Sequence, residues 1–131
     1  MKRILSLILI AAISILLLAG CAGKELTDGS YTAEVRLSGG SGRASVASPA
    51  KVIIQQGQAT ATIVWSSPFY EFMEVDGKRY EPLSNDGTSI FQIPIRFDEE
   101  IPVSASTVAM SQPHLIDYTL YFDASSLKDA S

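Results

Sequence analysis

Between residues 30 and 122 apolar and polar side chains alternate in short runs, and a turn signal closes almost every run. A period of two is what a strand with one buried face requires. Residues 30–37 place Tyr31, Ala33, Val35 and Leu37 on one face. A glycine- and serine-rich stretch, 38–45, follows with Arg43 as its one charge, and Pro49 closes that loop. Residues 50–55 and 58–65 form two strands around the turn Gln56-Gly57, and Ser66-Ser67-Pro68 stops the second because proline cannot donate to a central ladder. Asp76-Gly77, between 69–75 and 78–82, is the strongest hairpin signal in the chain. Pro94 marks the next strand, 89–97, as an edge or a bulge. After the acidic turn Asp98-Glu99-Glu100, residues 102–110 and 114–122 make a last hairpin, and the polar residues beyond Asp123 are expected to fray. Seven or eight short strands and no amphipathic helix predict an all-β, immunoglobulin-like antiparallel β-sandwich.

The N-terminus sets the compartment. Lys2 and Arg3 precede an apolar run from Ile4 to Leu18, the layout of a signal segment and too short for a comfortable membrane span. Leu18-Ala19-Gly20-Cys21 follows, resembling the lipobox of bacterial lipoproteins, where cleavage before the cysteine leaves a lipidated N-terminus. Cys21 is the expected lipidation site, and the chain divides into a signal peptide, 1–20, a lipidated tether, 21–28, a sandwich domain, 29–123, and a polar tail, 124–131. Loss of the first two basic residues leaves 8 Lys and Arg against 14 Asp and Glu, a formal charge of −6. Nucleic-acid binding and a polybasic grip on anionic lipid both need clustered cations, so neither is expected. Acyl chains at about 0.8 kcal/mol per buried CH₂ hold the chain at the outer face of the cell membrane instead. Cys21 is the only cysteine, so the domain has no disulfide, no Cys-based zinc site and no thiol chemistry.

The last hairpin carries the only histidine. Along residues 114–122, His114, Ile116, Tyr118, Leu120 and Phe122 share one face, while Asp117 points to the other. Reading Ser111-Gln112-Pro113 as a three-residue loop puts Met110 opposite His114, Val108 beside Ile116 and Ser106 beside Tyr118. This is an apolar face with a thioether, an imidazole and a phenol, bordered by small residues that leave room for a flat ligand. A hydrolytic triad has no support, because it would have to be built from the single histidine with scattered partners such as Asp117, which points to the other face; an enzyme is not expected. Trp65 and the remaining aromatics read as packing.

Asp28-Gly29-Ser30-Tyr31-Thr32, then Ser48-Pro49-Ala50-Lys51-Val52-Ile53, the turn at Gly57, and the terminal Tyr118-Thr119-Leu120-Tyr121-Phe122 occur in an order that resembles the NEAT domain. That family is the immunoglobulin-like haem-binding module of bacterial surface iron uptake. The resemblance covers nearly all of the chain after Cys21 and implies haem as cofactor. It places haem between a short helical lip before the Pro-Ala-Lys segment and the last hairpin. It also implies a Tyr-x-x-x-Tyr motif whose first tyrosine binds iron; here those positions hold His114 and Tyr118, so the ligand becomes an imidazole. The lip is Ser41-Gly42-Arg43-Ala44-Ser45-Val46, without the family's Met and aromatic. On this reading His114 is the axial ligand and Met110 a second one; Tyr118, Val108, Ile116, Val46 and Trp65 form the pocket, and Arg43 pairs with a propionate. An ABC-type transporter is the expected protein partner. Two alternatives stay open: a copper or other transition-metal site built on His114 and Met110, and a cofactor-free interaction module using strand edges or the loop 38–48.

Overall fold

The computed structural model describes residues 26–109 and 112–130. The signal segment and Cys21 lie outside these, as does Met110. Ten strands occur among the described residues: β1 (Gly29–Ala33), β2 (Val35–Gly39), β3 (Ala50–Gln55), β4 (Gln58–Val64), β5 (Tyr70–Val75), β6 (Lys78–Tyr80), β7 (Ile90–Ile95), β8 (Glu100–Thr107), β9 (His114–Phe122) and β10 (Lys128–Asp129). They form two five-stranded antiparallel sheets, ordered β10-β1-β3-β4-β7 and β2-β9-β8-β5-β6. The expected all-β, immunoglobulin-like sandwich is what the chain builds.

Alternation is the reason the sheets face each other as they do. Along β3 every second residue, Ala50, Val52 and Ile54, is buried, and Lys51, Ile53 and Gln55 are exposed. The same parity in β4, β7, β8 and β9 sends Ile63, Phe91, Ile93, Ile101, Leu120 and Phe122 into one shared core. Burying a side chain of this size contributes roughly 1.5–3 kcal/mol. The turns Gln56-Gly57 and Asp76-Gly77 have both central residues at positive φ, 51° and 77° in the first, 51° and 78° in the second. This is the twist that joins tight antiparallel strands. Pro94, which has no N–H, sits on β7 at the edge of its sheet, where a missing donor leaves no gap in a central ladder.

The single strand expected over 30–37 is two. It leaves the first sheet at Glu34 and enters the second at Val35, and the break is satisfied by long-range partners. The Glu34 N–H donates to Ser126 Oγ at 2.7 Å, and its carbonyl accepts from the Asp123 N–H at 3.1 Å. The other half of this exchange is the tail. Beyond Phe122 the chain turns through a 3₁₀ helix, Ala124–Ser126, capped by Asp123, and returns as β10 with Asp129 opposite Tyr31. Hydrogen bonds from the Ser125 hydroxyl and N–H hold the Asp123 carboxyl below its usual value. The tail therefore pairs where fraying was expected, because Leu127 packs against the core and brings backbone donors to an open edge of β1.

The last hairpin departs from its expected register. His114 stands opposite Thr107, Ile116 opposite Ala105 and Tyr118 opposite Val103. The shift from the predicted pairing is three residues. An odd slip exchanges faces, so Ser106 turns to the outer side, where its hydroxyl donates to Glu71 Oε1 at 2.8 Å. Val108 lies beyond the end of β8 and does not neighbour Ile116. The predicted pairing of His114 with Met110 is replaced by Thr107, and the connection spans residues 108–113.

Candidate functional site

Three aromatic side chains meet at one end of the sandwich. Trp65 follows β4 in the first sheet; Tyr70 opens β5 and Tyr118 lies within β9 in the second. The Trp65 and Tyr70 rings stack with centroids 4.1 Å apart, and Tyr118 is tilted against Trp65 at 5.1 Å. The Tyr70 and Tyr118 hydroxyls share a hydrogen bond of 3.2 Å. Burial, reinforced by that bond, pushes the Tyr70 phenol far above its usual value. The indole N–H of Trp65 is buried with no acceptor, a cost of about 1–3 kcal/mol.

This cluster connects His114 to the rest of the site. Tyr70, Thr107 and His114 occupy one row across β5, β8 and β9, and Tyr118 lies four residues further along β9. Four residues of strand span about 13 Å. The Tyr70 and Tyr118 side chains meet across that interval, Tyr70 starting in the row of His114 and its hydroxyl reaching that of Tyr118. The sequence identified His114 and Tyr118 but read Tyr70 as plain packing. Only the true register puts Tyr70 level with His114.

A lip closes over the cluster. After Gly39, which is paired with Tyr118, the chain turns at Gly40 with φ +64°, and a Cβ there would lie 2.8 Å from Tyr118 Cε1. The returning arm is tied to the end of β4: Val46 pairs with Trp65, the Ser66 N–H donates to the Ser45 carbonyl at 2.8 Å, and the Ala47 N–H donates to Val64 at 2.8 Å. The helical lip that the resemblance implied is a glycine turn here, since Gly40 and Gly42 both take left-handed φ.

The predicted residues thus fall into three places. Trp65 and Tyr118 are buried as floor; Val46 and Ile116 are half-buried at its margin. His114, Val108 and Arg43 are exposed at the rim. Tyr118, with 4% of its surface exposed and its hydroxyl engaged, supports the site from behind and does not face a ligand. Asp117 points to the outer face as expected and accepts from the Ser104 hydroxyl at 2.7 Å. Among the described residues no three His, Cys, Asp or Glu side chains converge as a metal-binding group. One imidazole at an exposed edge with apolar margins, backed by a sealed aromatic cluster, fits a planar ligand carrying its own metal better than it fits a bare ion.

A concavity of about 550 Å³ lies at the opposite end, lined by Asp28, Ile53, Gln55, Gln56, Gln58 and Thr60. Its carboxylate, Asp28, is occupied by the Gln56 N–H at 2.9 Å.

No family model matches the chain, and no curated protein matches it. Solved structures do. The NEAT5 domain of IsdX2, a B. anthracis hemophore, in complex with heme, superposes with a TM-score of 0.59 at 16% identity, covering 74% of this chain and 97% of that one. A point mutant of the same domain in complex with heme gives 0.60 at 17% identity, covering 75% and 97%. Identity this low speaks for architecture alone, and on that ground the chain shares the fold of that NEAT domain.

Proposed function

We propose that the domain binds haem, on a lipid-anchored protein at the extracytoplasmic face of the cell membrane, in the service of iron acquisition. The observation that carries this reading is the position of His114. The only histidine of the chain stands exposed at the start of β9, level with Thr107 and Tyr70, in a fold whose solved neighbours hold heme. His114 would supply a neutral nitrogen ligand to the iron, Val46 and Ile116 apolar margins, and Arg43 a cation for a carboxylate. Haem, when bound, supplies the iron and the flat apolar ring that such a margin recognises. The second ligand position assigned to Met110 belongs to a residue outside those described. Cys21 with its acyl chains is the anchor in this reading, and a transporter in the same membrane is the protein that receives the ligand.

A haemin titration of residues 22–131 tests it, followed by absorbance and by the emission of Trp65, the sole tryptophan. The expected result is a saturable, shifted Soret band with loss of Trp65 emission, and loss or displacement of that band in His114→Ala. A free-haemin spectrum throughout, or a band indifferent to His114, overturns the assignment.

A further inference from the structure

The two ends of the sandwich are unlike, and the tether joins only one of them. Asp28 accepts from the Gln56 N–H, and Gly29 lies opposite Ile54, so the chain enters the domain at the β3–β4 turn. From that turn β4 runs the length of the sheet, from Gln58 to the point where Trp65 meets Val46 of the lip and stacks on Tyr70 in the row of His114. Seven steps of strand at about 3.3 Å put the candidate site about 23 Å from the point of entry. Between Cys21 and Asp28 there are also seven steps, which reach at most about 25 Å when fully extended. To lay the site end on a bilayer, the tether would have to run back along the whole domain with its contour used up and its conformational freedom lost.

We infer that the domain stands on the membrane with its β3–β4 turn toward the lipid and its site end outward, so that its ligand arrives from the aqueous side and not from the bilayer. This rests on the proposed roles of Cys21 and His114. One feature of the surface argues for the opposite orientation. Phe69, Val108 and Leu115, 48%, 40% and 54% exposed, cluster toward the site end, and exposed apolar residues at a hairpin tip resemble a wedge for lipid. The charges around them do not complete a membrane surface. Among the described residues Arg79 lies over Phe72, on the hairpin that turns at the other end, and Glu71 and Asp117 add negative charge on the outer face, so no basic patch is assembled beside them to draw an anionic headgroup.

The test uses the full chain, acylated at Cys21 and reconstituted into phosphatidylcholine vesicles that carry a nitroxide quencher at the headgroup. Two exposed positions, Gln58→Cys and Gln112→Cys, receive a fluorophore in separate preparations. The expected result is loss of emission from the label at 58 and retention at 112. Insertion of about 20 Gly and Ser residues after Lys24 should erode that contrast, because a flexible linker of this length no longer restricts the domain. Equal or greater quenching at 112 overturns the inference, as does a contrast unmoved by the longer tether. Failure of the chain to float with the vesicles overturns it too, by removing the anchor. Haemin binding in solution is read separately, so a failed haem assignment is distinguishable from a failed orientation.

Discussion

Gly40 is the residue at which backbone and space make the same demand. Its φ of +64° is costly for any side chain, and the Cβ of an alanine would press on the Tyr118 ring at 2.8 Å. Gly42 shares the left-handed backbone, φ +81°, but has nothing within 4 Å of the same position. The pair separates the two costs. Gly42→Ala should lose the backbone term alone, about 1–2 kcal/mol. Gly40→Ala should lose a further increment of about 1–3 kcal/mol from overpacking, with a changed near-ultraviolet signal from Tyr118 and Trp65. Denaturant midpoints decide it, and equal losses at the two positions would mean that the lip does not bear on Tyr118. Parity in the sequence was enough to put His114 and Tyr118 on one face and Asp117 on the other. It could not show that the phenol is sealed behind Gly40, since that depends on a close approach between segments almost eighty residues apart in the chain.

At the scale of elements, most strand positions were legible because alternation and turn chemistry agree on them. β3 falls on the predicted residues, Asp76-Gly77 makes the β5–β6 hairpin, and Pro94 lies on an edge strand. Two features were not legible for one shared reason: both are pairings chosen by tertiary context. The β8–β9 register slipped because 102–110 continues its strand-like pattern past Thr107, so the sequence offered no signal for where pairing stops. The tail paired because β1 offered an open edge, which no local pattern in 124–130 announces. Between the sheets, Ser89 does a job its residue type does not advertise. It is fully buried; its hydroxyl accepts from the Tyr70 N–H at 3.0 Å, while its carbonyl accepts from the Trp65 N–H at 3.0 Å. One residue thereby holds β5 of one sheet to the end of β4 in the other. Ser89→Ala keeps the carbonyl bond and strands the Tyr70 N–H in the core, an expected loss of about 1–3 kcal/mol. Hydrogen exchange at the Tyr70 amide should accelerate more than exchange at Val52 in β3, and uniform acceleration would argue against a local clamp.

For the molecule as a whole, the aromatic cluster is where the two sheets meet at the site end, and this makes stability there sensitive to alkali. Tyr70 has its phenol pushed far above the usual value by burial and by its bond to Tyr118. An unfolded tyrosine ionises near pH 10. Above that pH the unfolded chain releases the Tyr70 proton while the folded chain keeps it, so the unfolded state binds fewer protons and stability falls as pH rises. The contribution is fully present below about pH 10 and drains away above it, by up to about 1.4 kcal/mol per pH unit for a single such group. Thermal melts stepped upward from about pH 8 should hold level and then decline beyond about pH 10. Tyr70→Phe, which has no proton to lose, should flatten part of that decline although it begins from a lower stability, because it leaves the Tyr118 hydroxyl without its partner. Tyrosinate absorbance and Trp65 emission should then change together, since Tyr70 can ionise only when the sheets part around the indole stacked on it. A tyrosinate signal from Tyr70 near pH 10 with Trp65 emission unchanged would show that water already reaches the cluster in the folded protein.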